Sequence, residues 1–271
     1  MALNELPQRS VASTIDLTIT EPAELIFSVA VGSIYSPSQE WINASVDGRQ
    51  IDAVELVDAH GTRLHRVQAP VGELRFDYSA TIPEAAGFEP QDPTDFVRYL
   101  RPSRYAESDS LGPTANAEFS GIRDAAELLH SVSSWVGTRL AYVSGSSLPT
   151  DGAVRTLLSR QGVCRDFAHL TVGLLRALNV PARMASVYAP GLYPMDFHAV
   201  AEAYVDGGWY VVDATTLAPR QTLVRIATGR DAADTAFLTV TSGRIQVGPI
   251  TVTAVADTLP YDDVTQLVGL R

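Results

Sequence analysis

Between residue 14 and about residue 82, apolar and polar positions alternate in short runs such as Ile15-Asp16-Leu17-Thr18-Ile19 and Leu25-Ile26-Phe27-Ser28-Val29. A period of two in β-branched and aromatic residues is that of a half-buried strand. Turn signals separate the runs at Val46-Asp47-Gly48-Arg49, Ala59-His60-Gly61-Thr62 and Pro70-Val71-Gly72. This spacing predicts an antiparallel β-sandwich-like domain over residues 1–85. The Pro83–Pro93 segment, with Gly87 inside it, marks the expected boundary, and residues 86–119 read as a linker.

The period then changes. From Asp124 to Arg139 apolar residues fall at Ala125, Leu128, Leu129, Val132, Trp135 and Val136, the stripe of an amphipathic helix. Thr150 or Asp151 is placed to cap a short helix carrying Ala153, Val154, Leu157 and Leu158. A third helix is expected from about Val163 to Leu178, with Asn179 as a left-handed stop and Pro181 preventing continuation. Strand-like segments follow at Ala182–Tyr188, Phe197–Val205 and Trp209–Asp213, with Asp206-Gly207-Gly208 turning between the last two. The tail holds a further strand pair around Leu238-Thr239-Val240 and Ile250-Thr251-Val252. Helices followed by antiparallel strands predict an α+β domain over residues 120–271.

Composition narrows the function classes. The 271 residues carry a net charge of −11, and the 20 basic residues contain no Lys. An acidic chain without a basic stripe argues against nucleic acid or anionic membrane as a partner. The one cysteine cannot form an intrachain disulfide, which fits a reducing compartment. MALNELPQRS lacks the positive n-region and apolar core of a signal peptide, so a cytoplasmic location is expected. No Cys/His cluster, carboxylate loop or Gly-rich phosphate loop stands at ligand spacing, so neither metal nor cofactor is expected.

The candidate chemistry centres on Cys164, at the start of the third helix. Unpaired N–H groups and the helix dipole at such a position favour a thiolate, and Gly162 lets backbone approach closely. An isolated cysteine is more often a small buried apolar side chain. His198 opens a strand 34 residues later and Asp213 ends the returning strand. Nucleophile, base and orienting acid follow in that order. A hairpin turning at Gly207-Gly208 sets Asp213 opposite Glu202, about four positions from His198, and then a bulge or strong twist must bring the pair together. Residue patterns alone leave both readings open.

The segment GVCRDFAHLTVGLLRALNVPAR followed by FHAVAEAYVDGGWYVVDAT resembles the bacterial members of the transglutaminase-like (papain-related) superfamily over roughly residues 120–240. YLRPSRYAESDSL resembles their linker, and the β-rich start resembles their N-terminal region. The resemblance implies Cys164 as nucleophile, His198 as general base and Asp213 as its orienter, and strand geometry that closes the spacing. The family commonly has an aromatic residue directly after the histidine; here Ala199 and Val200 follow, a departure that bears on the shape of the substrate cleft. Tyr142 matches a recurrent family tyrosine and is a candidate second oxyanion donor beside the Cys164 N–H, with packing the alternative. Tyr188 and Tyr193, on the approach to His198, are candidates to line or cover the cleft.

Other titratable residues read as structural. Asp166 suits the first helical turn, His169 a core position and Glu202 a site roughly 13 Å along the strand from His198. His60 and His65 flank a turn and read as surface residues. The expected activity is thiol-dependent cleavage of an amide or peptide through an acyl-enzyme. Hydrolysis is favoured because water is always present, whereas transfer to an amine needs an acceptor site. A catalytically silent binding module is the alternative of a different class, and the intact Cys, His and Asp argue against it.

Overall fold

The computed structural model describes residues 6–83, 85–87 and 92–271. Residues 1–5, at the start of MALNELPQRS, and residues 84 and 88–91, in the expected linker, lie outside the described residues. The first six strands are β1 (Arg9–Phe27), β2 (Gln39–Val46), β3 (Arg49–Ile51), β4 (Ala53–Val57), β5 (Arg63–Ala69) and β6 (Gly72–Ile82). The two short runs around Ile15 and Leu25 belong to one 19-residue strand, β1, which pairs with β6 through its first half and β5 through its second. The three expected turns stand where the glycine signals put them, with Asp47, Gly48 and Gly61 at positive φ. His65 differs from its expected surface place. It is 2% exposed, tilted against Phe76 and 3.2 Å from Glu55.

The middle of the chain is helical: α1 (Asp95–Arg98), α2 (Ser108–Phe119), α3 (Ala125–Arg139), α4 (Ala153–Ser159) and α5 (Cys164–Ala177). The two-residue strands β7 (Ala141–Tyr142) and β8 (Gln161–Gly162) lie between them. Asp124 caps α3 through Glu127 N at 2.8 Å, a contact of about 1 kcal/mol. The expected cap of α4 is absent: Gly152 holds that position, and Asp151 instead accepts from Leu148 N.

The expected linker over 86–119 is corrected by α1 and α2. Leu111, Ala115 and Phe119 of α2 are buried with α3 and α5 in one core. The preceding stretch is bonded down as well: Arg176 donates to Arg101 O and Ser103 Oγ, and Ala182 N to Tyr99 O. Pro113, the sixth of the twelve residues of α2, obscures this helix in the sequence, and its missing N–H removes one bond from the interior of the helix.

The remaining strands are β9 (Ala182–Tyr188), β10 (His198–Val205), β11 (Gly208–Val212), β12 (Val224–Gly229) and β13 (Leu238–Ala256). Among the described residues, β11-β10-β9-β12 form a four-stranded antiparallel sheet, and α5 packs against β9 and β10. Residues Asp166 to Arg176 of α5 are all buried, so this is a central helix covered on every side. β13 departs from expectation. It is a single strand, and it returns to the first sheet to pair with β1 from Arg9↔Ala256 to Phe27↔Leu238. The expected division into 1–85 and 120–271 therefore does not hold for residues 238–256.

The two sheets also share a core. Tyr188, Val224, Ile226 and Ala227 of the second sheet belong to the apolar cluster of the first, with Phe27, Phe76 and Tyr78. Tyr188 Oη donates to Val29 O at 2.8 Å and lies within hydrogen-bond distance of Ser13 Oγ, at 3.0 Å. No helix among the described residues is long and apolar enough to cross a membrane.

Candidate active site

Cys164 is the first residue of α5, which starts abruptly after an extended Val163. The turn is closed by Asp166, whose Oδ2 accepts from Val163 N at 2.8 Å. This is the structural role expected of Asp166, and Arg165 lies 3.2 Å from its other oxygen. Gly162 is required here because a Cβ would stand 2.6 Å from that of Asp166. The first amides with a carbonyl partner are those of Asp166 and Phe167, both donating to Val163 O, so the N–H groups of Cys164 and Arg165 lie at the unpaired end of the helix. Cys164 is half-buried and packs against Ala168, Met184 and Ala199.

His198 opens β10, opposite Val187 of β9, and is 2% exposed. Its Nε2 lies 2.9 Å from Oδ2 of Asp213. The other oxygen of Asp213 accepts from Thr215 N at 2.8 Å and Thr215 Oγ1 at 2.7 Å. No bulge is needed between His198 and Asp213. The turn consists of Asp206 and Gly207, both at positive φ, and pairs Val205 with Gly208, the geometry of a two-residue hairpin loop. That register puts Asp213 opposite Val200 rather than Glu202, a diagonal neighbour of His198 on one face of the sheet. Helix α3 supports the segment from behind. Ser133 Oγ donates to Asp213 O at 3.2 Å, and a Cβ on Gly137 would meet Ala214 O at 2.6 Å.

Burial opposes a charge on His198, but the Asp213 carboxylate and then Cys164 reverse that effect and raise its pKa to about 10. Burial also opposes the charge on Asp213, and His198 and Thr215 hold it below the usual carboxylate value. His198 Nδ1 is buried and makes no hydrogen bond of normal geometry; Cys164 is the group that acts on the ring from outside the Asp213 contact. Asp213 and Cys164 thus both act on the same buried imidazole.

Tyr142 stands beside Cys164 because β7 pairs in parallel with β8, setting Tyr142 opposite Gly162. Burial, and next the neighbouring Cys164, push its phenol up to about 12. The other two tyrosines lie elsewhere. Tyr188 is fully buried, bonded to Ser13 and Val29, and Tyr193 is 91% exposed. Neither lines the cleft over Cys164. That cleft, of about 640 Å³, takes part of its wall from Phe237, Leu238 and Ile250, residues whose helix or strand period carries no sign of proximity to Cys164.

The remaining polar candidates are structural. His169 is fully buried, stacks on Tyr105 at 5.3 Å and accepts from Ala232 N at 3.1 Å. Burial lowers its pKa to about 4, which keeps the accepting nitrogen free. Glu202 is held between Arg183 Nε at 2.9 Å and Arg225 Nη2 at 2.7 Å. Among the described residues, no group of three or more His, Cys, Asp or Glu is arranged to hold a metal ion.

A family model described as the transglutaminase-like superfamily matches residues 113–214, a span that holds Cys164, His198 and Asp213. A solved structure from Cytophaga hutchinsonii, provisionally described as a cysteine protease, superposes with a TM-score of 0.87 at 32% identity. The match covers 97% of this chain and 96% of that one. An uncharacterized protein of Mycobacterium leprae is 26% identical over 162 residues, 55% of this chain and 57% of its own length. One from Mycobacterium tuberculosis is 35% identical over 95 residues, 35% of this chain and 30% of that protein. This chain therefore spans little more than half, or less, of the curated relatives it matches.

Proposed function

Since the chain belongs to the transglutaminase-like superfamily, we propose that it is a thiol-dependent amide or peptide hydrolase working through Cys164, His198 and Asp213. The observation that carries this reading is the buried His198 ring, held on Nε2 by Asp213 at 2.9 Å and interacting with Cys164 as well.

In this mechanism Cys164 Sγ attacks the substrate carbonyl carbon, and the thiol proton passes to His198 Nδ1. The negative oxygen of the tetrahedral adduct is met by the Cys164 N–H and the Tyr142 O–H. His198 then gives its proton to the departing amine nitrogen, and the C–N bond breaks to leave a thioester on Cys164. Water attacks the thioester carbon, His198 takes its proton, and the sulfur leaves as the carboxylic acid is released. Asp213 holds the ring in orientation and stabilises the imidazolium throughout.

The test is acyl release from p-nitrophenyl acetate by wild type and Cys164→Ala. Turnover that survives in Cys164→Ala removes the nucleophile from the mechanism. A parallel assay with an added primary amine separates the two fates of the thioester. Free acid as the product supports hydrolysis, and an amide product at millimolar amine makes the protein an acyltransferase.

A further inference from the structure

The cleft over Cys164 is built by both halves of the chain, and its chemistry is one-sided. Met184, Ala199 and Phe197 form the wall next to Cys164 and His198. Phe237 continues that apolar surface, its ring stacked on Phe197 at 5.5 Å and 19°, and Ala236 lies beside it in the lining. Another wall is Leu238 and Ile250, both on β13 and so on the first sheet. Ile250 is 36% exposed and Leu238 partly so, leaving apolar surface uncovered beside the reactive thiol.

The lining also carries polar groups, among them the buried and unpartnered Oγ atoms of Ser28 and Ser186, while Arg165 and Asp196 are turned toward neighbours. Arg165 spends Nη2 on Ser147 Oγ, Leu148 O and Asp166 Oδ1. Asp196 is exposed and accepts from its own neighbour, Phe197 N. At about 640 Å³ the cleft is the size of a small-molecule site, and its apolar stretch at Phe237, Leu238 and Ile250 favours an apolar group. A charged side chain seated against Phe237, Leu238 and Ile250 would lose its hydration and find no partner there.

We infer that the cleft is the specificity pocket of the hydrolase, that it takes acyl donors with a large apolar side chain flanking the scissile carbonyl, and that β13 of the first sheet supplies the wall that selects them. This rests on Cys164 being the nucleophile, as proposed above. The first sheet is therefore part of the substrate site as well as a support for it. The return of β13 across the chain is what brings Leu238 and Ile250 into the lining of the cleft that holds Cys164.

Two measurements test the inference separately from turnover. The first is the ratio of kcat/KM for the p-nitrophenyl esters of N-acetylphenylalanine and N-acetylglycine. Ile250→Asp and Phe237→Ala should each lower that ratio by about tenfold, the scale on which an apolar pocket discriminates. Val247→Asp, on the same strand but outside the lining, should leave it at the wild-type value. The second is alkylation of Cys164 by iodoacetamide. N-acetylphenylalaninamide should slow it in wild type and Val247→Asp but not in Ile250→Asp, and N-acetylglycinamide should slow it in none. If no ester is turned over, the hydrolase reading fails while the protection experiment still reports on the pocket. Equal protection by the two amides, or a ratio unchanged by Ile250→Asp in a folded protein, overturns the inference.

Discussion

Asp213 Oδ2 lies 2.9 Å from His198 Nε2 because a two-residue turn at Asp206 and Gly207 sets their strands in a register that makes them diagonal neighbours. The contact is buried, with both side chains almost without exposure, so solvent screens it little. It is the electrostatic centre of the site, and its consequences are measurable.

The first concerns pH. With its pKa raised to about 10, His198 contributes stability that is fully present below the usual imidazole value of about 6.5. As pH rises from there toward 10, the unfolded chain releases the proton and the folded chain keeps it, so the contribution declines and is lost above 10. The depressed Asp213 acts in the other direction: its contribution is present above the usual carboxylate value of about 3.8 and lost as pH falls through the folded value. Urea midpoints should therefore fall more steeply between about pH 6 and pH 9 in wild type than in His198→Gln. Equal slopes would remove the ion pair from the account.

Asp213→Asn should impair activity less than Cys164→Ala, which should abolish it, because an amide still orients the imidazole. The substitution is not innocuous, however. Asp213 accepts from His198 on one oxygen and from Thr215 N and Oγ1 on the other. An asparagine turned to serve His198 presents its NH2 to the Thr215 N–H, at a cost of about 1–3 kcal/mol. Cys164→Ser should be nearly inactive, since a hydroxyl has no comparable thiolate form. Initial rates on an activated ester, together with thermal midpoints, rank the series. A folded Asp213→Asn as inactive as Cys164→Ala would make the carboxylate charge, not ring orientation, the essential property.

Tyr142→Phe isolates the oxyanion donor. Tyr142 is 46% exposed and touches Phe167 through its ring, contacts that phenylalanine keeps. Loss of the O–H should lower kcat about a hundredfold with little change in KM or in melting temperature. An unchanged kcat assigns the residue to packing alone.

Gly137→Ala tests the support behind Asp213. The added methyl would approach Ala214 O to 2.6 Å, a backbone atom with no rotamer to move. The variant should lose about 1–3 kcal/mol of stability and a larger share of activity than the exposed control Ser134→Ala, because the displaced segment carries Asp213. Denaturation curves and ester turnover on both variants provide the check.

Glu202→Ala should be the most destabilising of these changes, at about 3–5 kcal/mol. The carboxylate is fully buried between Arg183 and Arg225, and its removal takes the balancing negative charge away from two buried guanidiniums. Glu202→Gln should recover only part of the loss, because its one amide oxygen keeps one of the two hydrogen bonds and its NH2 faces the other guanidinium. A thermal midpoint for Glu202→Ala equal to that of wild type would contradict this.

Local pattern by itself determined much of this protein. The 3.6 period and the stop at Asn179, which takes φ of 61°, specified the central helix, and with it the position of Cys164 at a helix terminus. The period of two and the glycine turns specified most of the strands, and the GVCRDFAH and FHAVAEAY blocks indicated the family. These signals are short-range: capping, turn chemistry and side-chain period act within a few residues. What spans the chain was decided only by tertiary structure. The pairing of β13 with β1 joins residues more than two hundred positions apart, the burial of Tyr188 depends on Ser13 and Val29, and the packing of α2 depends on α5. A strand's own residues state which face is apolar but not which edge it will join. The hydrogen-bonding groups on every edge are alike, and the partner is chosen by the core that the assembled elements close.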